Sequence, residues 1–348
     1  MEGGTRVSGT SILRDVAEAA GVSLRTASRV LNDDPRVAGT TRARVRQVML
    51  DLRYTPDSMA RSLRAGTDAS IGLVVESVAD PFFSALVAAV ESAASDDGRS
   101  VVIASTHRDP ERERRVVQQM LRRRVSGLLL VPTTGDHSWL AGAGAPLVLV
   151  DRAAEGLDAD VVGIDDRQAA FDAVTHLVAH GHRDIGYVGD HPEIATSAAR
   201  LAGYRAAMEH HGLGVREELV RAECATAPAA STATAELLRS PRPPTALLSA
   251  ATRCSLGVVP ALHEHRRTDV ALVGFGDFAM ADTLVPAVTV VDHSPVEVGL
   301  AAADRLRQRV ADPRLPVDEL QVPVSLVQRG SGEQRPVHAT PGSVPSRQ

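Results

Sequence analysis

The feature that most constrains the fold is the stretch DVAEAAGVSLRTASRVLN at residues 15–32. Its first part carries apolar residues at helical spacing, and Gly21 then offers the left-handed turn that ends a helix at little cost. Ser23 is placed to cap a second helix, in which Val30 and Leu31 face inward. Two short helices joined by a glycine turn form a helix-turn-helix, whose second helix can enter the major groove of DNA. An ordinary helical hairpin is the alternative interpretation of this stretch alone.

The following residues add a third helix, and the N-terminal part of the chain is basic. A helix is expected over residues 40–52, with an apolar stripe made of Val45, Val48, Met49 and Leu52. Residues 1–66 hold 11 arginines and 7 acidic residues, a net charge of +4. The remainder holds 27 arginines and 36 acidic residues, a net charge of −9. A basic end on an acidic body suits a protein that touches DNA with one end only.

The N-terminal segment contains a series of different short motifs. They lie at residues 15–17 (DVA), 20–23 (AGVS), 28–32 (SRVLN), 41–42 (TR), 44–45 (RV), 54–56 (YTP) and 60–63 (ARSL). In these motifs the chain resembles the lactose-repressor (LacI/GalR) family of bacterial transcription regulators. The resemblance continues to about Gly330 and so covers nearly the whole chain.

The resemblance implies a role in DNA recognition for each part of the second helix. Leu24, Arg25 and Arg29 occupy the base-reading positions. Arginine is the natural bidentate partner of guanine O6 and N7 and can discriminate a base by about 1–3 kcal/mol, whereas leucine can only contact a thymine methyl group or a sugar. For Arg25 the alternative is a solvated surface charge. The residues expected at phosphate or turn contacts are Ser23, Thr26, Ser28 and Asn32.

A hinge is expected over residues 57–69. Its helix is far shorter than the roughly 12–15 residues that a helix needs to be stable alone, so it should fold only on DNA, paired with its copy in a homodimer. By resemblance, the hinge residues at the minor groove are Ser58, Ala60, Arg61 and Leu63. In the family the residue that matches Leu63 wedges between base pairs and kinks the duplex, although a plain core leucine is the alternative.

From Ser70 onward short apolar strands alternate with helices, which predicts parallel sheets covered on both faces. The expected fold is an N-terminal all-α helix-turn-helix headpiece followed by an α/β periplasmic-binding-protein-like core of two doubly wound parallel-sheet subdomains. The expected boundaries are residues 1–10 disordered, 11–56 headpiece, 57–69 hinge helix and linker, 70–330 effector-binding and dimerisation core, and 331–348 disordered tail. Within the core, one subdomain is expected to hold residues 70–163 and 292–320 and the other residues 164–291 and 321–330.

Two such subdomains leave a crevice at the carboxyl ends of their strands, where the family binds its effector. The residues that match ligand-contacting positions are Phe82, Phe83, Arg152, Asp166 and Arg200. The phenylalanines match an aromatic pair that flanks the ligand, with core aromatics as the alternative. Arg200 matches an arginine that grips a carboxylate or sugar hydroxyl groups.

Several polar groups expected in that cleft are missing. The family's usual Asn-Asp pair is Ala-Thr at residues 251–252, its usual Asp is Gly276 with Asp277 beside it, and an aromatic position is Cys224. Since these Asp and Asn side chains hold sugar hydroxyl groups, the effector is not expected to be a typical hexose. A smaller or less polar ligand, a phosphorylated ligand held by the cleft arginines, or no ligand at all are left open, and Asp277 is kept as an effector-binding candidate.

Other classes of protein find little support. The chain has no run of about 18 apolar residues and no apolar signal core near its N-terminus, so it is expected to be cytoplasmic and nucleoid-associated, with no membrane partner. It has no G-x-S-x-G elbow, P-loop or catalytic carboxylate pair, so no enzyme activity and no cofactor are expected. His176 and His180 form an i, i+4 pair that a metal could use, but residues 181–183 (GHR) match a helix-end motif of the family, and no metal site is expected.

The sequence therefore predicts a sequence-specific transcriptional regulator, a repressor that binds a pseudo-palindromic operator as a homodimer and responds to a small-molecule effector. The open alternatives are a DNA-binding regulator that has lost its effector response and a pure small-molecule-binding protein. An enzyme on the same scaffold is the remaining rival, because fold alone does not fix function.

Overall fold

The computed structural model describes residues 13–31, 34–52, 54 and 70–336. The chain divides into two compact units, Met1–Thr67 and Asp68–Gln348. Outside the described residues lie the N-terminal segment that the sequence predicts to be disordered, Asn32, and the predicted hinge residues Ser58, Ala60, Arg61 and Leu63.

The described helices are, in chain order, α1 (Leu13–Ala19), α2 (Leu24–Leu31), α3 (Gly39–Asp51), α4 (Pro81–Asp96), α5 (Pro110–Arg122), α6 (Asp166–Ala179), α7 (Ala195–His210), α8 (Ala227–Arg239), α9 (Thr252–Glu264) and α10 (Pro295–Ala311). The described strands are β1 (Ile71–Val75), β2 (Val101–Ser105), β3 (Gly127–Leu130), β4 (Leu147–Val150), β5 (Asp160–Gly163), β6 (Ile185–Val188), β7 (Val220–Arg221), β8 (Ala246–Ser249), β9 (Ala271–Phe275), β10 (Thr289–Asp292), β11 (Glu319–Gln321) and β12 (Ser325–Val327).

The first unit contains the three short helices that the sequence predicts. Gly21 has a φ of +63°, the left-handed conformation that its position between α1 and α2 requires. One small core joins the helices, formed by Val16, Ala17, Ala20, Ala27, Val30 and Val45. Because each helix is too short to be stable alone, this shared core holds the unit together.

The second unit contains two sheets, each with helices on both faces. The sheet of the first lobe has the strand order β11-β5-β4-β3-β1-β2, and its described strands are all parallel. The sheet of the second lobe has the order β12-β10-β9-β8-β6-β7, in which β12 runs antiparallel to β10. In the first lobe α4 and α10 cover one face and α5 the other, whereas in the second lobe α6 and α7 lie opposite α8 and α9. This arrangement confirms the predicted fold class of two doubly wound subdomains.

Several helices begin at a polar residue followed by proline. The Asp80 carboxylate accepts a hydrogen bond from the Phe82 backbone at the start of α4, and Asp109 caps α5 in the same way. Ser294 caps α10. Each of these helices has Pro in its first turn, where the missing N–H costs nothing and the fixed φ suits the helix.

The chain passes between the lobes three times. It leaves the first sheet after β5, returns after β10 to form α10, and leaves it again between β11 and β12. These crossings bring Ile164, His293 and Pro323 to the junction of the lobes.

Residues of the segment 331–336 bind the second lobe, although the sequence predicts a disordered tail from residue 331. Ser331 is buried, and its hydroxyl donates to the Leu272 carbonyl at 2.6 Å. Glu333 accepts from His176 at 2.7 Å, and the Gln334 carbonyl lies 2.8 Å from His182 Nε2. The predicted tail boundary at residue 331 is therefore wrong, because the polar side chains of this segment bind polar partners of the second lobe.

None of the described helices is long and apolar enough to cross a membrane.

Candidate functional site

The outward face of α2 carries the residues that the sequence predicts to read bases. Ala27 and Val30 are buried in the small core, which turns the opposite face of the helix outward. On that face Leu24 is 48 % exposed, Arg25 is exposed and the Arg29 side chain is 39 % exposed. Arg25 and Arg29 are four residues apart and project from the same side of the helix. Leu24, Arg25 and Arg29 form what we call the recognition surface.

The residues predicted at phosphate or turn contacts begin the same helix. Ser23 Oγ accepts a hydrogen bond from the Thr26 backbone N–H at 3.1 Å and lies 2.9 Å from Thr26 Oγ1. Ser28 is half-buried. Ser23 thus caps α2 as predicted, which satisfies an N–H group that the helix itself cannot bond.

A carboxylate that the sequence did not single out lies beside the recognition surface. Asp34 Oδ2 is 3.6 Å from Arg29 Nε. Arg36 donates two side-chain hydrogen bonds to Asp34, at 2.9 and 2.8 Å, and these lower the pKa of Asp34 to about 2. Arg42 also donates to the Asp34 carbonyl at 2.8 Å. Asp34 is therefore ionised at neutral pH and is the anchor of three arginines.

A cleft lies at the carboxyl ends of the strands of both lobes, where a doubly wound fold binds ligands. It is lined by Phe82, Phe83, Arg152 and Arg200, which are four of the six residues that the sequence predicts to contact the effector. It is also lined by charged residues that the sequence did not single out: Glu76, Asp80, Arg108, Asp151, Asp190 and Arg253. Four guanidinium groups and four carboxylates thus share one narrow space.

Three ion pairs cross this cleft from one lobe to the other, and we call them the cross-cleft pairs. Arg108 of the first lobe donates Nη1 and Nη2 to the two oxygens of Asp190 of the second lobe, at 3.0 and 2.5 Å. Arg253 of the second lobe donates to Glu76 of the first lobe at 3.1 Å and lies 3.1 Å from the Asp80 carboxylate. Arg108 also donates Nε to Glu76 within its own lobe at 2.7 Å.

These pairs determine how the cleft carboxylates ionise. Burial alone would raise the pKa of Glu76 and Asp190, but the neighbouring arginines, Arg108 foremost, hold both pKa values below their usual range. For Asp80 burial outweighs the Arg253 cation, and its pKa is raised. The carboxylates on both sides of the Arg108 guanidinium are therefore charged at neutral pH.

Arg200 is held by the protein itself. It donates Nε to Asp166 at 2.6 Å and Nη1 to the Ala250 carbonyl at 2.8 Å, and its guanidinium carbon lies 3.9 Å from the centre of the Phe275 ring. Asp166 is buried and supports Arg200 from outside the cleft lining, and burial raises the pKa of Asp166 to about 6 against the opposing Arg200 charge. Asp166 thus positions an arginine at the cleft wall.

An aromatic corner closes one end of the cleft. The Phe82 ring stacks on His293 with centroids 5.0 Å apart, and Phe275 lies 5.1 Å from the same imidazole. Burial and the nearby Arg200 charge lower the pKa of His293 to about 3, so the imidazole is neutral. Within the part of the chain that the structure describes, His293 Nδ1 has no hydrogen-bond partner. The corner therefore offers one free polar atom among aromatic rings.

The space inside the cleft is small. The deep part beside Arg200 and Arg253 has a volume of about 60 Å³. A neighbouring pocket of about 200 Å³ shares Glu76, Arg108 and Arg152 with it and extends over residues 131–134. Ordinary small-molecule sites are roughly 300–1,000 Å³. The guanidinium groups thus occupy much of the room that a ligand would need.

Two family models match the chain. The model of the lacI family of bacterial regulatory proteins matches residues 12–57. The model of periplasmic binding proteins and the sugar binding domain of the LacI family matches residues 68–330. The chain belongs to the LacI family.

Curated relatives and solved structures agree with this membership. The transcriptional regulator GalR of Escherichia coli (strain K12) is 31% identical over 315 residues, which cover 88% of this chain and 91% of GalR. The ribose operon repressor of the same strain is 30% identical over 326 residues, 92% of this chain and 99% of the relative. The Lac repressor dimer, solved with operator and the anti-inducer ONPF, has a TM-score of 0.83 at 28% identity, covering 93% of this chain and 99% of that one. This LacI-family protein is thus a DNA-binding transcriptional regulator, as its first 66 residues predict.

Asp277 and Cys224 stand at positions that the family pattern places in the cleft, but neither lines it in this LacI-family protein. Asp277 lies outside the lining and forms two hydrogen bonds with Arg329, at 2.7 and 2.6 Å. The chain turns away at Gly276, whose φ is +83° and where a Cβ atom would lie 2.1 Å from Thr252 Oγ1. Cys224 is buried in the core of the second lobe, where burial raises the pKa of its thiol.

The cleft is nevertheless rich in charged groups. Several charged side chains that line the cleft, among them Glu76 and Asp190, stand at positions that the family pattern does not indicate. Glu76 follows β1 directly, and Asp190 follows β6 after one glycine. A charged residue immediately after a buried apolar strand was the signal that could have found both, because carboxyl ends of parallel strands share one edge.

Proposed function

We propose that this LacI-family protein is a homodimeric repressor that binds a pseudo-palindromic operator through the recognition surface of α2. The observation that carries the proposal is the exposed face of α2, where two arginines and a leucine project together from a compact three-helix unit. Each arginine can form a bidentate contact with guanine O6 and N7 in a major groove. One such unit reads one half-site, so a two-fold dimer matches a palindrome.

The hinge contributes the second part of the proposal. Residues 57–69 form a short helix on DNA, paired with the copy from the other subunit, and Leu63 enters the minor groove. Ser58, Ala60 and Arg61 support this contact. The core governs repression because separation of the paired hinge helices lowers the affinity for the operator.

The cleft is proposed as the effector site, with Phe82, Phe83 and Arg152 as contacts and Arg200 held in place by Asp166. The effector is not a typical hexose. A neutral sugar entering the deep part must displace charged groups already paired with each other, and its hydroxyl groups replace an ion pair poorly. The molecule is not an enzyme, uses no cofactor, and works in the cytoplasm on the nucleoid.

A selection from random double-stranded DNA tests the proposal. The full-length protein is incubated with a randomised library at moderate salt, and bound sequences are recovered and sequenced. We expect a two-fold symmetric motif, together with a dimer in size-exclusion chromatography with light scattering. Recovery of DNA without any sequence preference would show that the recognition surface does not read bases.

A further inference from the structure

We propose that the cross-cleft pairs hold the two lobes closed in the absence of any ligand, so that an effector acts by opening this core. The inference rests on the proposed function for its consequence at the operator, whereas the closure itself is a property of the core. Its basis is the set of ion pairs made by Arg108 and Arg253 with carboxylates of the opposite lobe.

The Arg108–Asp190 pair has the geometry of a strong contact. Two parallel N–H groups meet two carboxylate oxygens, which is the bidentate arrangement that fixes orientation as well as charge. The side chain of Asp190 is 5 % exposed and that of Arg108 is 27 % exposed. Arg108 has a φ of +63°, which is uncommon for a residue with a Cβ atom, and this backbone conformation is part of how its side chain reaches across the cleft.

The Arg253 pairs bind the same region from the opposite side. Arg253 lies at the start of α9 in the second lobe, and its two terminal nitrogens meet Glu76 and Asp80, both of the first lobe. Glu76 therefore binds an arginine from each lobe, since it also accepts from Arg108. Opening the cleft separates Asp190 from Arg108 and Arg253 from both of its carboxylates at once.

The remaining space supports the same conclusion. The space beside Arg200 and Arg253, about 60 Å³, is far smaller than an ordinary small-molecule site of roughly 300–1,000 Å³. Within the described part of the chain, Arg253 Nε and His293 Nδ1 are buried and have no hydrogen-bond partner. A larger ligand enters only if the guanidinium groups of Arg253 and Arg108 move.

This arrangement reverses the usual action of a ligand in a two-lobed core. In a binder that closes on its ligand, the ligand supplies the contacts between the lobes. In this protein, carboxylates and arginines of the chain itself supply the contacts between the lobes. A ligand that competes for Arg108 and Arg253 consequently binds the open state better, and it shifts the population toward that state.

Hydrogen exchange of the full-length protein, read by mass spectrometry without DNA or ligand, tests the proposal. The informative amides are those of Phe82 and His191, which donate to the Asp80 and Asp190 carboxylates. In Arg253→Gln we expect exchange around these positions to be faster on the order of tenfold, because the lobes then open more often. The buried strands β1 and β6 should keep their protection.

The matched control is Arg329→Gln, which removes an arginine of similar exposure that pairs with Asp277 inside the second lobe. It should leave exchange at the cleft unchanged. Equal exchange at the cleft in Arg253→Gln and the wild type would overturn the proposal. If Arg253→Gln does not fold, Asp190→Asn, which preserves side-chain shape, gives the same test with the same two outcomes at the Phe82 amide, since the His191 amide donates to residue 190 itself.

Operator selection distinguishes this inference from the proposed function. Hydrogen exchange measures the effect of losing the cross-cleft pairs without any DNA. Failure to recover an operator would contradict the proposed reading of DNA bases, but it would not change the result of the exchange experiment.

Discussion

Arg29 on the recognition surface lies 3.6 Å from Asp34, a carboxylate of the loop that follows α2. Asp34 also binds Arg36 through both side-chain oxygens, so it fixes the position of two cations next to the base-facing residues. A carboxylate near DNA opposes binding to phosphate, while one that orients an arginine favours a particular base contact. Experiments can distinguish the two effects of Asp34, because only its effect on the base contact depends on the DNA sequence.

We therefore expect Asp34→Asn to weaken discrimination and to strengthen non-specific binding. The ratio of operator to random-DNA affinity should fall by about three- to tenfold, since part of a 1–3 kcal/mol base contact is lost. The affinity for random DNA should rise because one negative charge is removed. Fluorescence anisotropy with both DNAs measures the two affinities. Asp51→Asn, an exposed carboxylate on α3, is the control and should leave the ratio unchanged. An unaltered ratio in Asp34→Asn would remove Asp34 from base recognition.

The second prediction concerns Arg29→Ala. We expect it to lower operator affinity by about 1–3 kcal/mol while most of the salt-dependent affinity for random DNA remains. Binding curves at several salt concentrations measure both. Arg44→Ala removes an exposed arginine from α3 and should weaken binding to both DNAs about equally. If Arg29→Ala behaves like Arg44→Ala, Arg29 acts as a phosphate contact.

The third prediction concerns the hinge. Leu63→Ala should reduce the bending of operator DNA, because a methyl group cannot separate stacked base pairs as an isobutyl group does. The migration of DNA fragments with the operator at different positions measures the bend. Ser62→Ala, a neighbouring substitution without an apolar wedge, serves as the comparison. A bend of the same size in Leu63→Ala and the wild type would show that another residue kinks the duplex.

Local sequence signals account for the parts of the fold that were predicted well. The third helix was expected at residues 40–52 and spans Gly39–Asp51, because its apolar stripe and its length are visible in one window. The strand Ile71–Val75 is a continuous apolar run that a short window of the sequence reveals. Both signals involve residues close together in the chain.

Elements that depend on distant partners were missed. Helix α9 contains Pro260, which usually indicates the end of a helix, and its packing in the second lobe outweighs that cost. Strand β11 is mostly exposed and polar, and it exists because it pairs with β5, about 160 residues earlier. Strand β11 has no run of apolar residues of its own, so only the assembled sheet reveals it.

In the cleft, too, some residues could be predicted from the sequence and others depend on contacts between distant parts of the chain. Phe82 and Arg200 could be placed by resemblance to a family pattern. The cross-cleft pairs could not, since Glu76 and Arg253 are 177 residues apart and only the packing of two lobes brings them within 3.1 Å. Asp277 was misplaced because adjacency in sequence does not tell which way the chain turns after a glycine with a positive φ.

The fourth prediction uses the buried imidazole of His293. Its pKa in the folded protein is about 3, lowered by burial and Arg200 from the ordinary 6.5. Below pH 6.5 the unfolded chain binds a proton at His293, whereas the folded chain does not. The contribution of the neutral imidazole to the free energy of unfolding is therefore present above pH 6.5 and is lost as the pH falls. Between pH 6.5 and 5 the loss is on the order of 2 kcal/mol.

Thermal unfolding of the wild type and His293→Gln between pH 7.5 and 5 measures this effect. The stability of the wild type relative to the variant should decrease as the pH falls. The titration of Asp166 occurs in both proteins and largely cancels in the comparison. His263→Gln, at an exposed histidine, should run parallel to the wild type. Parallel curves for His293→Gln as well would show that the folded protein accepts the proton at that site.

The last prediction concerns a buried charge that joins two distant parts of the first lobe. Asp160 on β5 accepts hydrogen bonds from Arg305 at 2.7 Å and from Arg309 at 2.8 Å, both on α10, and its side chain is fully buried. Burial by itself would raise the pKa of Asp160, but the two arginines hold it below its usual value. Asp160→Ala leaves both guanidinium groups without their counter-charge, and we expect a loss of about 3–5 kcal/mol in unfolding free energy. Denaturant unfolding measures it, with Asp304→Ala, an exposed partner of Arg307, expected to change stability by about 0.5 kcal/mol or less. Equal midpoints for the two variants would mean that packing of α10, and not this ion pair, attaches the helix to the sheet.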